Sequence, residues 1–273
     1  MDFIPFGIRN RIIRFLFPVG TKYEFDIPFY GNRYKGNLDS YIDYMVFFYG
    51  AYDKPALELL KKIADNIEAP IFFDIGANIG QHSLFMSSYC KEVHAFEPFI
   101  EVRKLILEKQ EINNIRNLKI HDFGLGEVNE TRNFFAPSTE NKGTGSFIED
   151  YNESNQNIGS LKIVKGDDFV FENLNPSKID LMKIDVEGFE RNVLLGLKKT
   201  LDHFRPILFV EYSAATMNSF IDSTELQGML PDNYIIKKFK SNNVDFSKLI
   251  DFDPLISGGD IVILPNEKIN LIE

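Results

Sequence analysis

Short apolar runs alternate with amphipathic segments through most of the chain after residue 70. The runs have the length of buried β-strands, and they span residues 71–75, 93–96, 178–184 and 206–212, with a further strand of mixed composition predicted at 118–123. Apolar residues at helical spacing occupy several of the intervening segments. This alternation predicts an α/β fold on a parallel sheet with right-handed crossovers, whose ligands bind beyond the carboxyl ends of the strands.

The pattern changes on both sides of this region. Before it, the sequence predicts a basic amphipathic helix within residues 1–20, a hairpin at 23–37 and a helix at 55–66. Between these elements lies a strongly aromatic stretch, residues 41–50, for which core packing is favoured over a place at a cofactor entrance. We therefore separate an extension, residues 1–69, from one main domain, residues 70–273.

Residues 138–159 interrupt the main domain with a polar stretch that contains several Gly, Ser and Asn residues. Short extra strands are predicted around it, and its composition is typical of a mobile loop. We interpret this insertion as a candidate lid. Beyond it, the pattern predicts a helix at 224–230 and strands at 234–239 and 260–264.

A glycine turn follows the first strand. Gly76 and Gly80 permit tight backbone geometry there, and Glu97 lies about 20 residues further on, where an acid binds ribose hydroxyls in nucleotide-binding folds. The dinucleotide pattern of three glycines fails, because Asn78 and Gln81 occupy the other two positions. A carboxylate at Asp74 would repel a pyrophosphate and favour a sulfonium ligand, so S-adenosylmethionine is preferred to a dinucleotide.

Further side chains that could bind a ligand or substrate lie at the ends of the later strands. Asp122 and Phe123 end the third strand, where they would bind the adenine amine and stack on its ring, although a solvated Asp and a core Phe are equally consistent with the sequence. Lys183, Asp185, Glu187 and Glu211 bring charge to the same edge of the sheet, with Asp185 at a strand tip and Glu187 opening the next helix. The alternative for Lys183 is a structural ion pair with an acid.

The charge, length and cysteine content of the chain argue against some classes of function. A formal net charge of −10 argues against a general nucleic-acid binder, and 273 residues suffice for one large domain. Because Cys90 is the sole cysteine, no intrachain disulfide can form, and we expect a cytoplasmic protein. Pro18 ends the apolar run of residues 1–20 before it could span a membrane, so the choice is between peripheral membrane contact and packing on the domain or a second copy.

In four places the sequence resembles the FkbM family of S-adenosylmethionine-dependent methyltransferases. The matching motifs are Asp-Ile-Gly-Ala-Asn-Ile-Gly at 74–80, Ala-Phe-Glu-Pro at 95–98, Gly-Leu-Gly-Glu at 124–127 and Lys-Ile-Asp-Val-Glu-Gly-Phe-Glu at 183–190, with Glu211 after them. The resemblance implies a Rossmann-like class I methyltransferase: a doubly wound, seven-stranded, mostly parallel sheet with its last strand antiparallel. It also implies cofactor contacts at Ala77 and Pro98.

The same resemblance implies O-methylation of a hydroxyl on a small molecule or glycan, of sugar or polyketide type. Asp185 or Glu187 is then the preferred base, with Glu211 and Lys183 beside them. Carboxylates here could instead hold a divalent metal, and the sequence does not decide this. A catalytically silent cofactor-binding scaffold and a dinucleotide-dependent oxidoreductase are the alternatives, and the oligomeric state is left open.

Overall fold

The computed structural model describes residues 6–137, 145–149, 151, 153, 155–222, 224–242, 245–256 and 258–272. Its strands are β1 Glu24–Phe29, β2 Asn32–Asn37, β3 Ile71–Ile75, β4 Glu92–Phe96, β5 Leu118–His121, β6 Gly124–Gly126, β7 Glu130–Pro137, β8 Asn155–Lys165, β9 Leu181–Ile184, β10 Ile207–Glu211, β11 Tyr234–Asn242, β12 Asp245–Asp251 and β13 Asp260–Pro265. Its helices are α1 Phe6–Leu16, α2 Tyr41–Tyr49, α3 Lys54–Asp65, α4 Gln81–Met86, α5 Ile100–Ile112, α6 Gly166–Asp168, α7 Glu190–Gly196, α8 Lys198–Phe204, α9 Ala214–Ser219 and α10 Glu225–Met229, with a π-helical turn at Phe169–Leu174 and a 3₁₀ turn at Asn266–Leu271.

The central sheet has the order β12-β11-β13-β10-β9-β3-β4-β5. All neighbours from β10 to β5 pair in parallel, whereas β13 lies antiparallel between β10 and β11. The predicted Rossmann-like class I methyltransferase sheet with an antiparallel last strand is therefore confirmed. The sheet also carries an eighth strand, β12, which pairs with β11 at the edge and was not predicted.

The strands are apolar on both faces because each face supports a separate core. Phe73 and Ile75 of β3 pack into one core, whereas Phe72 points into the other. Alternate residues of a strand point to opposite faces, so a nearly continuous apolar run is required wherever both faces are covered. The pattern that predicted buried strands at 71–75, 93–96 and 206–212 follows from this requirement.

The extension packs on the second of these cores. The hairpin β1-β2 and helix α3 form where the sequence predicts them, and Tyr34, Leu57 and Leu60 are fully buried. Residues 41–50 form helix α2, whose Tyr44 and Val46 lie in the same core. Core packing, the preferred interpretation of this aromatic stretch, is confirmed. Within the described residues, no helix is long and apolar enough to cross a membrane.

Two sequence predictions need correction or restriction. Glu187 does not open a helix: it and Gly188 have φ angles of 54° and 93°, and the helix begins three residues later at Glu190. These left-handed residues form a loop that the helical spacing of the apolar residues does not reveal. In the predicted lid, residues 138–144, 150, 152 and 154 lie outside the described residues, and part of the remainder extends strand β8.

A small second sheet of order β6-β8-β7 contacts the helices that follow β9. The closest approach is at Gly196, the last residue of α7, where a Cβ atom would lie 1.8 Å from the carbonyl oxygen of Gly126 in β6. Real Cβ atoms never come this close to backbone, so the strand or the helix would have to move.

We expect Gly196→Ala to destabilise the protein by about 3 kcal/mol or more, because the clash is with backbone and cannot relax cheaply. Gly228→Ala is the matched control, since a Cβ atom added to this helical glycine would meet nothing within 4 Å. That change should be neutral or stabilise by up to about 1 kcal/mol through helix propensity. Urea unfolding measures both, and equal midpoints for the two variants would contradict the described contact.

Candidate active site

A cavity opens at the carboxyl ends of β3, β4 and β9. This is the edge of the sheet at which the strand alternation places a ligand. Its wall includes several residues of the predicted site together with residues that the sequence did not single out. The wall consists of Ile75, Gly76, Asn78, Phe96, Glu97, Pro98, Gly124, Leu125, Phe134, Gly145, Phe147, Asp185, Val186, Glu187 and Phe189.

The glycine turn holds the tips of three strands in contact. The backbone N–H of Gly76 donates to the carbonyl of Phe96 at 3.1 Å, and that of Asp185 donates to Ile75 at 3.0 Å. Gly76 has φ of +79°, and a Cβ there would lie 1.9 Å from the carbonyl oxygen of Asp185. Both the dihedral angle and the contact therefore require glycine, and the turn brings the motif at 74–80 against the motif at 183–190.

Glu97 lies in the cavity wall with its carboxylate fixed by the backbone. Its two oxygens accept hydrogen bonds from the N–H groups of Asn78 at 3.0 Å and Phe99 at 2.9 Å. Burial raises the pKa of Glu97 to about 7, although these hydrogen bonds act to lower it. Each carboxylate oxygen can accept a second hydrogen bond, so Glu97 can bind ligand hydroxyls.

The cavity wall also has an apolar part, which suits a flat aromatic ring of a ligand. Leu125, Phe134 and Phe147 lie in this part of the wall, and the rings of Phe134 and Phe147 meet edge to face at 5.0 Å between centroids. Gly145 allows this approach, because a Cβ there would lie 2.5 Å from the Phe134 ring. These residues were not predicted as part of the site, although the run of Gly and Phe at 143–147 was a usable signal.

Five of the predicted cofactor contacts do not line the cavity: Ala77, Gly80, Asp122, Phe123 and Asp74, the last of which is described below. Phe123 packs among His121 and Phe169, at 5.5 and 5.3 Å between ring centroids, and Asp122 beside it does not reach the wall either. Ala77 lies in the second core, and Gly80 faces Ile106, whose side chain a Cβ would meet at 2.9 Å. Of the two alternatives for Phe123, the core aromatic is the one observed.

Asp74 lies beneath the turn and not in the cavity wall. Its carboxylate is fully buried and accepts a hydrogen bond from the Ser83 hydroxyl at 2.6 Å. Its other oxygen is 3.9 Å from the ammonium of Lys183, which is its neighbour across β3 and β9. Burial raises the pKa of Asp74, while the charge of Lys183 opposes that shift. Asp74 is therefore linked to the cavity wall through Lys183, which contacts both Asp74 and Asp185.

Lys183 is a buried cation between two acids. Its ammonium group donates to Asp185 at 2.9 Å, in addition to the longer contact with Asp74. Burial acts to lower the pKa of Lys183, but the carboxylates of Asp185 and Asp74 outweigh it and raise the pKa above its usual value. The ion pair that the sequence offered as an alternative is present, and it fixes Asp185 at the cavity wall.

Glu187 reaches the wall from its left-handed loop. The carbonyl of Glu187 accepts a hydrogen bond from Ser146 at 2.6 Å, and its carboxylate accepts one from the hydroxyl of Tyr151. Burial and the charge of Asp185 raise the pKa of Glu187 to about 7. At neutral pH this carboxyl group is therefore poised between its acid and base forms, as a general base requires.

Glu190, which was not predicted as a site residue, supports that loop. It is fully buried and accepts hydrogen bonds from the N–H groups of Val186 at 2.8 Å and Gly188 at 3.3 Å, and from the Thr216 hydroxyl at 2.9 Å. Its place in the family motif at 183–190 was the available signal.

Carboxylate oxygens of Asp185, Glu190 and Glu211 lie within 4.8 Å of one another, close enough to share a divalent cation. Glu190 already serves three protein donors, so the grouping has a structural explanation that needs no metal. Metal binding stays a prediction.

Two further acids extend the group toward the amino-terminal extension. Asp260 pairs with Glu211 across β10 and β13, and Asp53 precedes helix α3. Burial raises the pKa of Asp53 to about 6, and burial and the neighbouring Asp53 raise that of Asp260. Tyr52 precedes Asp53, and its backbone is fixed by the side chain of Gln81. The N–H of Tyr52 donates to the Gln81 side chain at 2.7 Å, and the Gln81 amide donates to the carbonyl of Tyr52 at 2.9 Å.

Glu211 lies at the centre of these acids and has a strongly raised pKa. Burial, together with the charges of Asp185, Glu187 and Glu190, raises its pKa to about 9. One oxygen of Glu211 is buried without a hydrogen-bond partner among the described residues. With a pKa of about 9, the carboxyl group of Glu211 holds its proton at pH 7.

We expect Glu211→Gln to stabilise the protein at pH 8 by about 4 to 5 kcal/mol, at about 1.4 kcal/mol for each pH unit above 4.5, and to have little effect at pH 4.5. A carboxyl whose pKa is raised in the folded state holds its proton longer than in the unfolded chain. Its contribution to stability is then lost as pH rises from about 4.5 to about 9. Urea unfolding at the two pH values measures the difference, and an equal effect at both would refute the shift.

Comparison with known proteins identifies the family. A model described as the methyltransferase FkbM domain matches residues 74–246. Methyltransferase 1 of Beauveria bassiana (strain ARSEF 2860) is 28% identical over a region that covers 45% of this chain and 57% of that protein.

Two solved structures give partial matches. The crystal structure of Methyltransferase FkbM from Methylobacillus flagellatus KT has 16% identity and a TM-score of 0.45, and the match covers 71% of this chain and 43% of that one. The SAM-dependent methyltransferase from Agrobacterium tumefaciens has 9% identity and a TM-score of 0.46, with 89% and 70% covered. The chain spans about half the length of the Beauveria and Methylobacillus proteins. Because the family model covers more than half of the chain, this protein belongs to the family of FkbM-domain methyltransferases.

Proposed function

We propose that the protein transfers a methyl group from S-adenosylmethionine to a hydroxyl oxygen of a small molecule or glycan. The observation that carries this proposal is the lining of the cavity, which combines the Glu97 carboxylate and several apolar residues with the acids Asp185 and Glu187. When bound, the cofactor supplies an electrophilic methyl group on a positively charged sulfur. Acids in the cavity wall favour such a charge.

The residues of the wall fit the parts of this cofactor. Glu97 has unused lone pairs for ribose hydroxyls, because each of its oxygens receives one backbone hydrogen bond. Leu125, Phe134 and Phe147 provide an apolar surface for adenine. Gly76 and Asn78 also form part of the cavity wall. Asp122 and Phe123 have no role in this proposal.

Glu187 is the proposed general base, which accepts the proton of the acceptor hydroxyl during or after methyl transfer. A hydroxyl group, that of Tyr151, already donates to its carboxylate, in the manner required of an acceptor alcohol. The carboxylate of Asp185 accepts a hydrogen bond from the Lys183 ammonium group at 2.9 Å, and Asp185 is proposed to position the backbone that leads to Glu187. Glu211, with its raised pKa of about 9, remains protonated and is available to donate a hydrogen bond to the acceptor.

Acceptor selectivity is proposed to reside in the extension, residues 1–69, and in the insertion, residues 138–159. The extension brings Tyr52 and Asp53 to the acid group beside the cavity, and the charges of Asp185 and Asp53 contribute, after burial, to raising the pKa of Tyr52. The insertion contributes Tyr151. Carboxyl and phenol groups bind polyhydroxylated acceptors such as sugars through hydrogen bonds, which supports the sugar or polyketide class.

Replacing Glu97 should weaken cofactor binding. We expect Glu97→Gln to raise the Kd of S-adenosylhomocysteine about 10- to 100-fold in isothermal titration, because hydrogen bonds to a charged group contribute about 1.5 to 3 kcal/mol. Glu111→Gln, at an exposed position of α5, is the matched control and should bind as the wild type does. Unchanged affinity in folded Glu97→Gln, or tighter binding of NAD than of S-adenosylhomocysteine, would overturn the assignment.

Replacing Glu187 should affect turnover and not cofactor binding. With methyl-labelled S-adenosylmethionine and a panel of free and nucleotide-linked sugars, kcat of Glu187→Gln should fall about 10²- to 10⁴-fold. In the wild type, kcat/KM should rise with pH through about 7 as Glu187 loses its proton, and this rise should be absent in the variant.

The exposed residue Glu172, which lies outside the extension and the insertion, supplies the matched control for that experiment, and Glu172→Gln should keep both the rate and the pH profile. Wild-type rates in Glu187→Gln would remove Glu187 from the mechanism. Methylation of nitrogen or carbon acceptors without any oxygen acceptor would contradict the proposed reaction.

A further inference from the structure

Helix α1 presents large apolar side chains to solvent. Ile8, Ile12, Phe15 and Leu16 are all exposed, and Phe15 and Leu16 leave 85% and 61% of their surface uncovered. Their spacing of four, seven and eight residues places them on one side of the helix. Scattered exposed apolar residues are ordinary on a protein surface, but a continuous helical stripe marks an interaction surface.

The opposite side of α1 is attached to the body of the protein. The side chain of Asn10 accepts a hydrogen bond from the Tyr49 hydroxyl at 2.9 Å, and Ile13 packs against the second core. Just after the helix, Phe17 contacts Phe48 with ring centroids 5.6 Å apart. The helix is therefore held on α2 with its apolar stripe directed outward, as a docking element and not as a detached tail.

The charge of this segment is opposite to that of the whole chain. Residues 6–23 contain Arg9, Arg11, Arg14 and Lys22 and no Asp or Glu, whereas the chain as a whole has a formal net charge of −10. Arg11 and Arg14 are exposed. Such side chains can keep their charges among anionic headgroups while the apolar residues beside them enter the acyl region.

We propose that the outward face of α1, formed by Ile8, Ile12, Phe15 and Leu16 with the neighbouring arginines, docks the protein on an anionic phospholipid bilayer. Apolar side chains contribute affinity by burial at the interface, and each basic residue adds attraction to the anionic surface. A second copy of the chain fits less well. A two-fold contact through this face would bring the arginines of both copies together, and no acid of residues 6–23 is available to pair with them.

The test uses vesicles and the whole protein. Sedimentation with vesicles of phosphatidylcholine that contain about 30 mol % phosphatidylserine should recover the protein in the pellet, and pure phosphatidylcholine should recover much less. Phe15→Ser with Leu16→Ser should lower the partition coefficient at least about tenfold through lost apolar burial. Arg11→Gln with Arg14→Gln should lower it about tenfold or more on the anionic vesicles alone.

A matched control removes equally exposed apolar side chains elsewhere. Ile221 and Leu255 are 79% and 75% exposed, and Ile221→Ser with Leu255→Ser should bind vesicles as the wild type does. Circular dichroism confirms that each variant is folded. Three results would each overturn the proposal: no wild-type binding to anionic vesicles, equal binding by Phe15→Ser with Leu16→Ser, or a dimer in solution that this pair of changes dissociates.

Discussion

A buried ammonium group, that of Lys183, lies among carboxylates that neighbouring strands bring to one edge of the sheet. It contacts Asp185 at 2.9 Å and Asp74 at 3.9 Å, and it is the register partner of Asp74 across β3 and β9. Burying a charge is costly unless a partner of opposite sign is near. Asp74 beneath the glycine turn and Asp185 at the cavity wall are both paired with this cation.

Burial and the neighbouring charges together give Glu187 and Glu211 different pKa values. Burial raises the pKa of Glu187 to about 7, and Lys183 contributes a small opposing shift. Burial and the charges of Asp185, Glu187 and Glu190 raise the pKa of Glu211 to about 9. At neutral pH one carboxyl can accept a proton while the other can donate one. This division of roles follows from position in the sheet, because chemically the two side chains are identical.

Much of this arrangement could be predicted from the sequence, because strand ends fix it. Asp185 and Glu211 end or directly follow apolar strands, and parallel strands bring such residues to one edge. Glu190 could not be assigned its function, because its carboxylate serves backbone N–H groups of a left-handed loop that resembles a helix start in sequence. Phe134 and Phe147 enter the cavity from outside the parallel strands, so the strand-helix alternation holds no information on them.

The proposed chemistry depends on a carboxyl group at the cavity wall, that of Glu187, whose pKa is raised to near neutrality by burial and the charge of Asp185 and is lowered in part by Lys183. Carbon-13 NMR titration of carboxyl-labelled glutamate, with Glu187→Gln used to assign the signal, measures this directly. We predict a pKa of about 7 for Glu187 in the wild type and a higher value in Lys183→Met, because removing the cation removes an opposing charge. Titration of Glu187 near 4.5 in both proteins, the usual value for this side chain, would contradict the proposed role.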